Sequence, residues 1–232
     1  MTLCQRYIDE KVHGLFFEPL ELASHKDETN LQMLRMLKQA GIPVVLIDAD
    51  VSYPERSGLD LVGIDNFRAG LVLAEHLIGQ GCRSLAFVHR PHSAGTTHAR
   101  AAGFRAALTA HKLRTGARVI EAEPEDQELV RRLTGKLKAD GIVCGNDYTA
   151  AHLLKNLQTA GVNVPGKIKL TGVDNVKYAQ LLSVPLTTLA QPCRDIGLAA
   201  LELMRFRIDH PDASPRQTLL DAPLIERESS HS

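Results

Sequence analysis

The feature that most constrains the fold of this chain is a regular alternation of short apolar runs with longer amphipathic stretches. The apolar runs, such as PVVLID at 43–48 and SLAFVH at 84–89, are bounded by turn-forming residues, which is typical of buried strands. The stretches between them carry apolar residues at helical spacing. This alternation indicates βαβ units, and it predicts an α/β fold with parallel sheets flanked by helices.

The pattern gives approximate bounds for each element. Strands are predicted at 12–17, 43–48, 60–64, 84–89, 117–121, 141–144 and 168–173, and helices at 27–40, 67–80, 97–111, 125–138, 147–160 and 191–207. Gly41, Gly81 and Gly161 each follow a predicted helix, where glycine closes the last turn in the left-handed conformation. The apolar segment 183–192 is bracketed by prolines, so it is predicted to be an extended crossing.

Composition narrows the functional classes. Lys and Arg number 27 and Asp and Glu also 27, so the chain has no excess of positive charge to drive binding to a phosphate backbone. No apolar run approaches the roughly 18 residues that a membrane span needs, and the first residues contain no apolar signal region. The four cysteines (Cys4, Cys82, Cys144, Cys193) are widely spaced and include no CxxC pair, as expected in a reducing compartment. We therefore expect a cytoplasmic protein without membrane contact.

Motifs for catalysis and metal binding are missing from the sequence. GxGxxG, GxxxxGK[ST] and GxSxG do not occur, so neither a nucleotide cofactor nor hydrolase chemistry is supported. His89, His92 and His98 are spaced by three and six residues without an interleaved carboxylate, which fits no zinc pattern. His76 and His111 lie nearby but do not change this conclusion. The sequence predicts no enzyme, no cofactor and no metal.

Three stretches in a fixed order carry a resemblance to a known family. They are residues 62–108, residues 141–175, and residues 185–204 followed by LIERESS at 224–230. Together they resemble the lactose-repressor (LacI/GalR) family of bacterial transcription regulators and the related periplasmic sugar-binding proteins. The resemblance implies a two-lobed, type I periplasmic-binding-protein-like fold, in which three crossings join two α/β lobes and a small ligand binds in the cleft.

The resemblance also assigns the chain to lobes. We expect the first lobe over 1–64 plus 191–214, and the second over 65–188 plus 217–232. Family members carry an N-terminal DNA-binding headpiece, which we expect to be absent from this chain. Residues 1–10 resemble the end of the second sensor helix, so we also expect an incomplete first lobe. The VHGLFF strand at 12–17 would then be an apolar edge, covered by a neighbouring chain or by residues 1–11.

Two charged residues lead the predicted ligand site, because ligands of open α/β sheets bind beyond the carboxyl ends of strands. Asp174 ends the strand IKLTGV, where a carboxylate accepts hydrogen bonds from two sugar hydroxyls; alternatively it caps a turn. Arg100 begins a helix, and its planar fork suits vicinal hydroxyls or a carboxylate; alternatively it is a solvated helix arginine.

The resemblance adds four further ligand-site residues, namely Asn146, Thr96, Asp48 and Gln191. Asn146 and Asp147 both follow the strand GIVC. We expect Asn146 to contact the ligand and Asp147 to cap the next helix, although either residue could simply be that cap. Thr96, Asp48 and Gln191 match family positions that border the ligand.

The sequence contains few aromatic residues that could stack on a ligand. Relatives commonly place an aromatic ring after the strand equivalent to ARVIE, where this chain has Ala122 and Glu123. Phe16, Phe17 or Tyr148 are the remaining candidates for a ring that stacks on the ligand.

The predicted function is a sensor that binds a small polar effector, in the chemical class of sugars or polyols, and controls DNA binding allosterically. Operator DNA would be contacted only through the headpiece, by a homodimer. The helix face of Leu31, Leu34 and Leu37 is a candidate dimer contact, unless it packs on its own sheet. The alternatives are a sugar-transport binding protein and a nucleoside or sugar hydrolase.

Overall fold

A computed structural model describes residues 2–20, 25–52, 55–114, 116 and 118–231 of the chain. Helices and strands alternate along most of these residues. In chain order they are α1 (Thr2–Asp9), β1 (Leu15–Phe17), α2 (Lys26–Gln39), β2 (Val44–Ile47), β3 (Asp60–Ile64), α3 (Asn66–Gly79), β4 (Leu85–His89), α4 (Gly95–Ala110), β5 (Val119–Glu121), α5 (Gln127–Arg131) with a π-helical turn (Arg132–Lys136), β6 (Gly141–Cys144), α6 (Asp147–Thr159), β7 (Lys169–Asp174), β8 (Thr187–Ala190), α7 (Cys193–Asp209), β9 (Gln217–Leu220), β10 (Leu224–Ile225) and a 3-10 turn (Glu228–Ser230).

The chain forms two compact units. Unit 1 contains Met1–Ile64, Ala94–Thr96 and Pro192–Asp221, and unit 2 contains Asp65–Ser93, Thr97–Gln191 and Ala222–Ser232. Among the described helices, none combines the length and the apolar character needed to cross a membrane.

Each unit is built on one sheet. The sheet of unit 1 has the order β1-β2-β3-β9 and is entirely parallel. The sheet of unit 2 has the order β10-β8-β7-β6-β4-β5, and it is parallel except for β10, which runs antiparallel to β8. The prediction of an α/β fold with parallel sheets flanked by helices is confirmed.

Local sequence signals fix several helix ends. The Asp65 side chain accepts a hydrogen bond from the Arg68 amide and so caps the start of α3, because this donor has no partner within the helix. Gly41, Gly81 and Gly161 have φ values of +70°, +88° and +72°. Their predicted role as left-handed helix terminators is confirmed.

The position of β9 corrects the predicted division of the chain. Residues 217–220 were expected in the second lobe, but β9 pairs in parallel with β3 and belongs to unit 1. The physical reason is a buried ion pair: Arg207 Nε and Nη2 donate to the two carboxylate oxygens of Asp60 at 2.7 and 3.1 Å. Asp60 also accepts from the Arg216 amide at 2.8 Å, which directs the chain onto β3. The rest of the two-lobe division stays a prediction.

The segment 183–192, predicted as an extended crossing, contains strand β8, which pairs with β7 in the unit 2 sheet. Extended backbone was therefore expected correctly, but its place inside a sheet was not. Prolines at 185 and 192 lie outside the paired residues Thr187–Ala190, so neither removes a hydrogen bond from the ladder.

Two expectations for unit 1 are wrong. Leu37 is completely buried in a core that also contains Phe17 and Leu46, so Leu37 is not a dimer contact and Phe17 is not a ring for ligand stacking. Residues 2–9 form helix α1, whose Cys4 packs in the same core, and the expected cover of the β1 edge by a neighbouring chain or by residues 1–11 stays a prediction. Within the described residues, β1 pairs with β2 alone.

Candidate functional site

The carboxyl edge of the unit 2 sheet collects most of the predicted ligand-binding residues. The strands β8, β7, β6 and β4 are parallel neighbours, so their carboxyl ends lie side by side along one edge. Asp174 is the last residue of β7, Gln191 follows β8, and Asn146 follows β6. This order places the three residues at the carboxyl edge of the sheet, where the ligand site is predicted.

Arg100 is a buried cation on helix α4. Arg100 is only 4% exposed, so it is not the solvated helix arginine of the alternative interpretation. Nε donates to Asn66 Oδ1 at 2.7 Å and Nη1 donates to the Gly145 carbonyl at 2.8 Å. Both acceptors are neutral, and among the described residues no ion pair is formed by Arg100. A buried guanidinium held by neutral oxygens favours a further acceptor.

Asp174 and Gln191 are brought together at the ends of β7 and β8. Gln191 Nε2 donates to Asp174 Oδ1 at 3.0 Å. The backbone is unusual here, since Asp174 has φ +113° and Asn175 has φ +52°, conformations that side-chain-bearing residues adopt at a cost. Arg227 stabilises the turn, because its Nη2 donates to Asn175 Oδ1 at 2.7 Å.

The roles expected for Asn146 and Asp147 need correction. Asn146 is the N-cap of α6: its Oδ1 accepts from the Thr149 amide at 2.9 Å and from the Thr149 hydroxyl at 2.8 Å. Asp147 is not the cap but is fully buried. Because both hydrogen bonds use Oδ1, the side-chain amide nitrogen of Asn146 is the atom that remains for a ligand. The ligand contact of Asn146 stays a prediction.

Asp147 instead holds the turn that follows β7. Its Oδ1 accepts from the Thr188 hydroxyl at 2.6 Å and its Oδ2 accepts from the Val176 amide at 3.0 Å. A Cβ at Gly172 would lie 2.3 Å from Asp147 Oδ1, so only glycine at that position of β7 leaves room for the carboxylate. Asp147 thereby connects the loop after β6 with the turn that bears Asp174.

The environment of Asp147 changes its acidity. Burial raises the pKa of Asp147 to about 7, and this rise is opposed by the hydrogen bonds from Thr188 and Val176. The negative charge of Asp174 adds to the increase, because two nearby carboxylates do not readily ionise together. Asp147 therefore changes its protonation near neutral pH at the edge that bears the predicted ligand residues.

The exposed ring of Tyr148 lies close to this edge of unit 2. Tyr148 follows Asp147, stacks on His152 with ring centroids 4.3 Å apart, and has the Arg90 guanidinium 5.0 Å from its centroid. Arg90 also pairs with Glu123 at 3.1 Å, at the position where an aromatic residue was expected from relatives. Of the three candidate stacking rings, Tyr148 is the exposed one in unit 2.

Asp48 and Thr96 lie in unit 1. Asp48 follows β2 with φ +67°, and its Oδ1 is buried without a hydrogen-bond partner among the described residues. Thr96 is buried in the first turn of α4, one turn before Arg100. An unsatisfied carboxylate oxygen at a strand end is costly, and this favours the predicted ligand role of Asp48.

Comparison with known proteins places the chain in a family. The family profile described as a periplasmic binding protein-like domain matches residues 74–230. The chain belongs to this family. The prediction of a periplasmic-binding-protein-like fold is thereby confirmed.

The periplasmic-binding-protein-like domain is shared here with transcription regulators. An HTH-type transcriptional repressor PurR of Vibrio atlanticus is 30% identical over 225 residues, which cover 94% of this chain and 64% of that protein. A ribose operon repressor of Halalkalibacterium halodurans is 25% identical over 197 residues, with 83% and 58% covered. The chain therefore spans less than two thirds of the length of these curated relatives.

A solved structure of a LacI-family transcriptional regulator from Enterococcus faecalis V583 contains bound ribose. It is similar to this chain with a TM-score of 0.79 and 27% identity, and the match covers 99% of this chain and 81% of the regulator. These similarities confirm the predicted relation to LacI-family regulators. Each of the three proteins is described as a repressor or a transcriptional regulator.

The sequence analysis missed the residues that hydrogen-bond to Arg100 and Asp147 and hold them in place. Asn66 holds Arg100 although it lies 34 residues away, and Thr188 holds Asp147 from 41 residues away. The only local signal was that Asn146 and Asp147 both follow a strand, which indicated one cap but not which of the two residues forms it.

Proposed function

We propose that this chain is the effector-sensing part of a LacI-type transcription regulator. It binds a small polar metabolite, a sugar or polyol, at the carboxyl edge of the unit 2 sheet and does not convert it. Effector binding shifts an equilibrium between two states that differ in operator affinity. A separate headpiece binds the operator, because the balanced charge of this chain provides no strong electrostatic attraction to DNA. The regulator acts in the cytoplasm as a homodimer.

The observation that carries this proposal is the buried Arg100 guanidinium beside the Asn146 loop, on the same sheet edge as Asp174. Arg100 offers donors, and Asp174 offers acceptors that Gln191 already orients at 3.0 Å. A polyol has hydroxyls that both donate and accept, so it complements these two groups together. The ribose bound to the similar Enterococcus faecalis regulator supports the same ligand class. The alternative of a transport protein is not favoured, because the similar proteins described above are regulators.

The test is a thermal-shift screen of monosaccharides, polyols, nucleosides and phosphorylated sugars, followed by calorimetry on the hits. Asp174→Ala removes a charged acceptor worth about 1.5–3 kcal/mol, so we expect the affinity for the hit to fall by about tenfold or more. Glu128→Ala, which removes an exposed carboxylate of the same unit, should leave the affinity unchanged. Equal affinity of wild type and Asp174→Ala would show that the site is wrongly assigned.

A further inference from the structure

Three metal-ligating side chains of unit 2 converge at a place that the proposed function does not use. They are His76 in the last turn of α3 and, from the C-terminal segment, Glu226 and His231. One ligand atom from each lies within 4.8 Å of the others. His231 Nε2 is 2.8 Å from Glu226 Oε2, and the rings of His76 and His231 meet edge to face with centroids 5.9 Å apart.

The backbone around this cluster is firmly held. Ser229 and Ser230 are completely buried. The Ser229 hydroxyl donates to the Leu170 carbonyl at 2.6 Å and accepts from the Thr187 amide at 2.8 Å. Ser230 Oγ lies 2.8 Å from His76 Nε2 and 2.7 Å from Thr187 Oγ1. The three ligand side chains therefore project from a fixed frame, which lowers the entropy lost when they bind one ion.

The location of the cluster separates it from the proposed effector site. Leu170 and Thr187 lie at the amino ends of β7 and β8, and α3 leads into the amino end of β4. The cluster therefore lies at the amino edge of the unit 2 sheet, whereas Asp174 and Gln191 lie at the carboxyl edge.

We propose that His76, Glu226 and His231 bind a divalent transition-metal ion, with zinc as the best match. Two imidazoles and one carboxylate are donors that zinc takes at about 2.0–2.2 Å, commonly with water in a fourth position. Glu226 and His231 are exposed, so their side chains are free to turn towards the ion. When His76 coordinates through Nε2, Ser230 keeps its hydrogen bond to Thr187. The ion fastens the C-terminal segment to α3.

This proposal departs from the sequence prediction that the chain binds no metal. Zinc motifs are recognisable in a sequence when their ligands lie at short spacing. Here one ligand comes from α3 and the other two come from the far end of the chain. Only the fold brings them together.

The test is calorimetric titration of the untagged 232-residue chain with Zn²⁺. It is done in a Cys193→Ser background, because the exposed Cys193 thiol is itself a zinc ligand. We expect one equivalent to bind, and His231→Gln to weaken that binding at least about tenfold, since even changes behind the ligands cost 10–100-fold. Glu226→Gln should also weaken it, and Mg²⁺, which prefers oxygen ligands, should not compete.

The matched control is His152→Gln. His152 is a histidine of the same unit that pairs with a glutamate, Glu125, and among the described residues it belongs to no group of three ligands. This variant should bind Zn²⁺ like the parent. Failure of the parent to bind one equivalent, or unchanged binding in His231→Gln, would overturn the proposal. Circular dichroism of each variant excludes loss of folding, and effector binding at Asp174 is measured separately.

Discussion

Asp147 shows how one buried carboxylate links the stability of unit 2 to pH. Because it is completely buried and accepts only two hydrogen bonds in the observed arrangement, its ionised form is poorly solvated. Burial raises its pKa to about 7 from an ordinary value of 3.8. The folded chain therefore binds a proton more tightly at this position than the unfolded chain does. The stabilisation from this proton is complete below about pH 4 and is lost as the pH rises through about 7.

The prediction uses Asp147→Asn, which mimics the protonated form and keeps groups that can bond Thr188 and Val176. In urea titrations between about pH 5 and about pH 8, the free energy of unfolding of the wild type should fall relative to that of Asp147→Asn. Burial lowers the pKa of His76, which acts in the opposite direction, but that contribution is common to both proteins and cancels in the difference. Asp209→Asn, at an exposed carboxylate of α7, is the control. A difference that does not change with pH would refute the role of Asp147.

Asp174 and Asp147 also illustrate what sequence reasoning reaches at the scale of residues. Asp174 was found because a strand end in a parallel sheet is visible as the end of an apolar run. The sequence did not reveal that Asn146 caps helix α6 while Asp147 is buried. That outcome depends on the space at Gly172 and on the Thr188 hydroxyl, and both lie on other strands. Neighbouring strands that are distant in sequence determine which of two adjacent polar residues is buried.

At the scale of elements, the position of Arg100 depends on a close backbone contact between α3 and α4. A Cβ at Gly70 in α3 would lie 1.8 Å from the Arg100 carbonyl oxygen, and a Cβ at Gly103 in α4 would lie 1.8 Å from the Phe67 carbonyl oxygen. Both distances are far below van der Waals contact. The helices therefore approach this closely only because each has a glycine at the crossing, and Asn66 at the start of α3 thereby reaches Arg100.

We predict that Gly70→Ala separates the two helices and lowers the free energy of unfolding by about 1–3 kcal/mol, the usual cost of overpacking. Gly79→Ala in the same helix has nothing within 4 Å of the added Cβ, so it should be neutral or stabilise by up to about 1 kcal/mol through helix propensity. Urea titration measures both. The contact would not be essential if the two variants were equally stable.

The elements themselves were largely predictable, because burial on both faces leaves each strand a continuous apolar run. The predicted strand at 60–64 coincides with β3, and that at 141–144 with β6. Helix α1 and strands β9 and β10 were missed. Strand β9 has the pattern of a partly exposed edge, so its apolar signal is weak, and the Asp60–Arg207 pair that directs it joins residues 147 positions apart.

At the scale of the whole molecule, the edge strand β1 is the feature with the clearest consequence for assembly. The Leu15 amide donates to the Pro43 carbonyl at 2.9 Å. Successive amides of a strand point in opposite directions, so the Phe16 amide points away from β2. No strand among the described residues pairs with it. Phe16 is 46% exposed, which adds an apolar side chain to backbone groups that are open to pairing.

Unpaired, apolar edge strands recruit strands from other chains, so we predict that the chain self-associates through β1. Sedimentation velocity over a range of concentrations should show dimers or larger species for the wild type. Phe16→Lys, which places a charge of the kind that protects natural edges, should shift the distribution towards monomer. Phe67→Lys is a matched control, because Phe67 lies on α3 and is also 46% exposed, so it removes a similar apolar surface away from the edge. A wild type that stays monomeric throughout, or equal effects of the two substitutions, would show that β1 is not the contact.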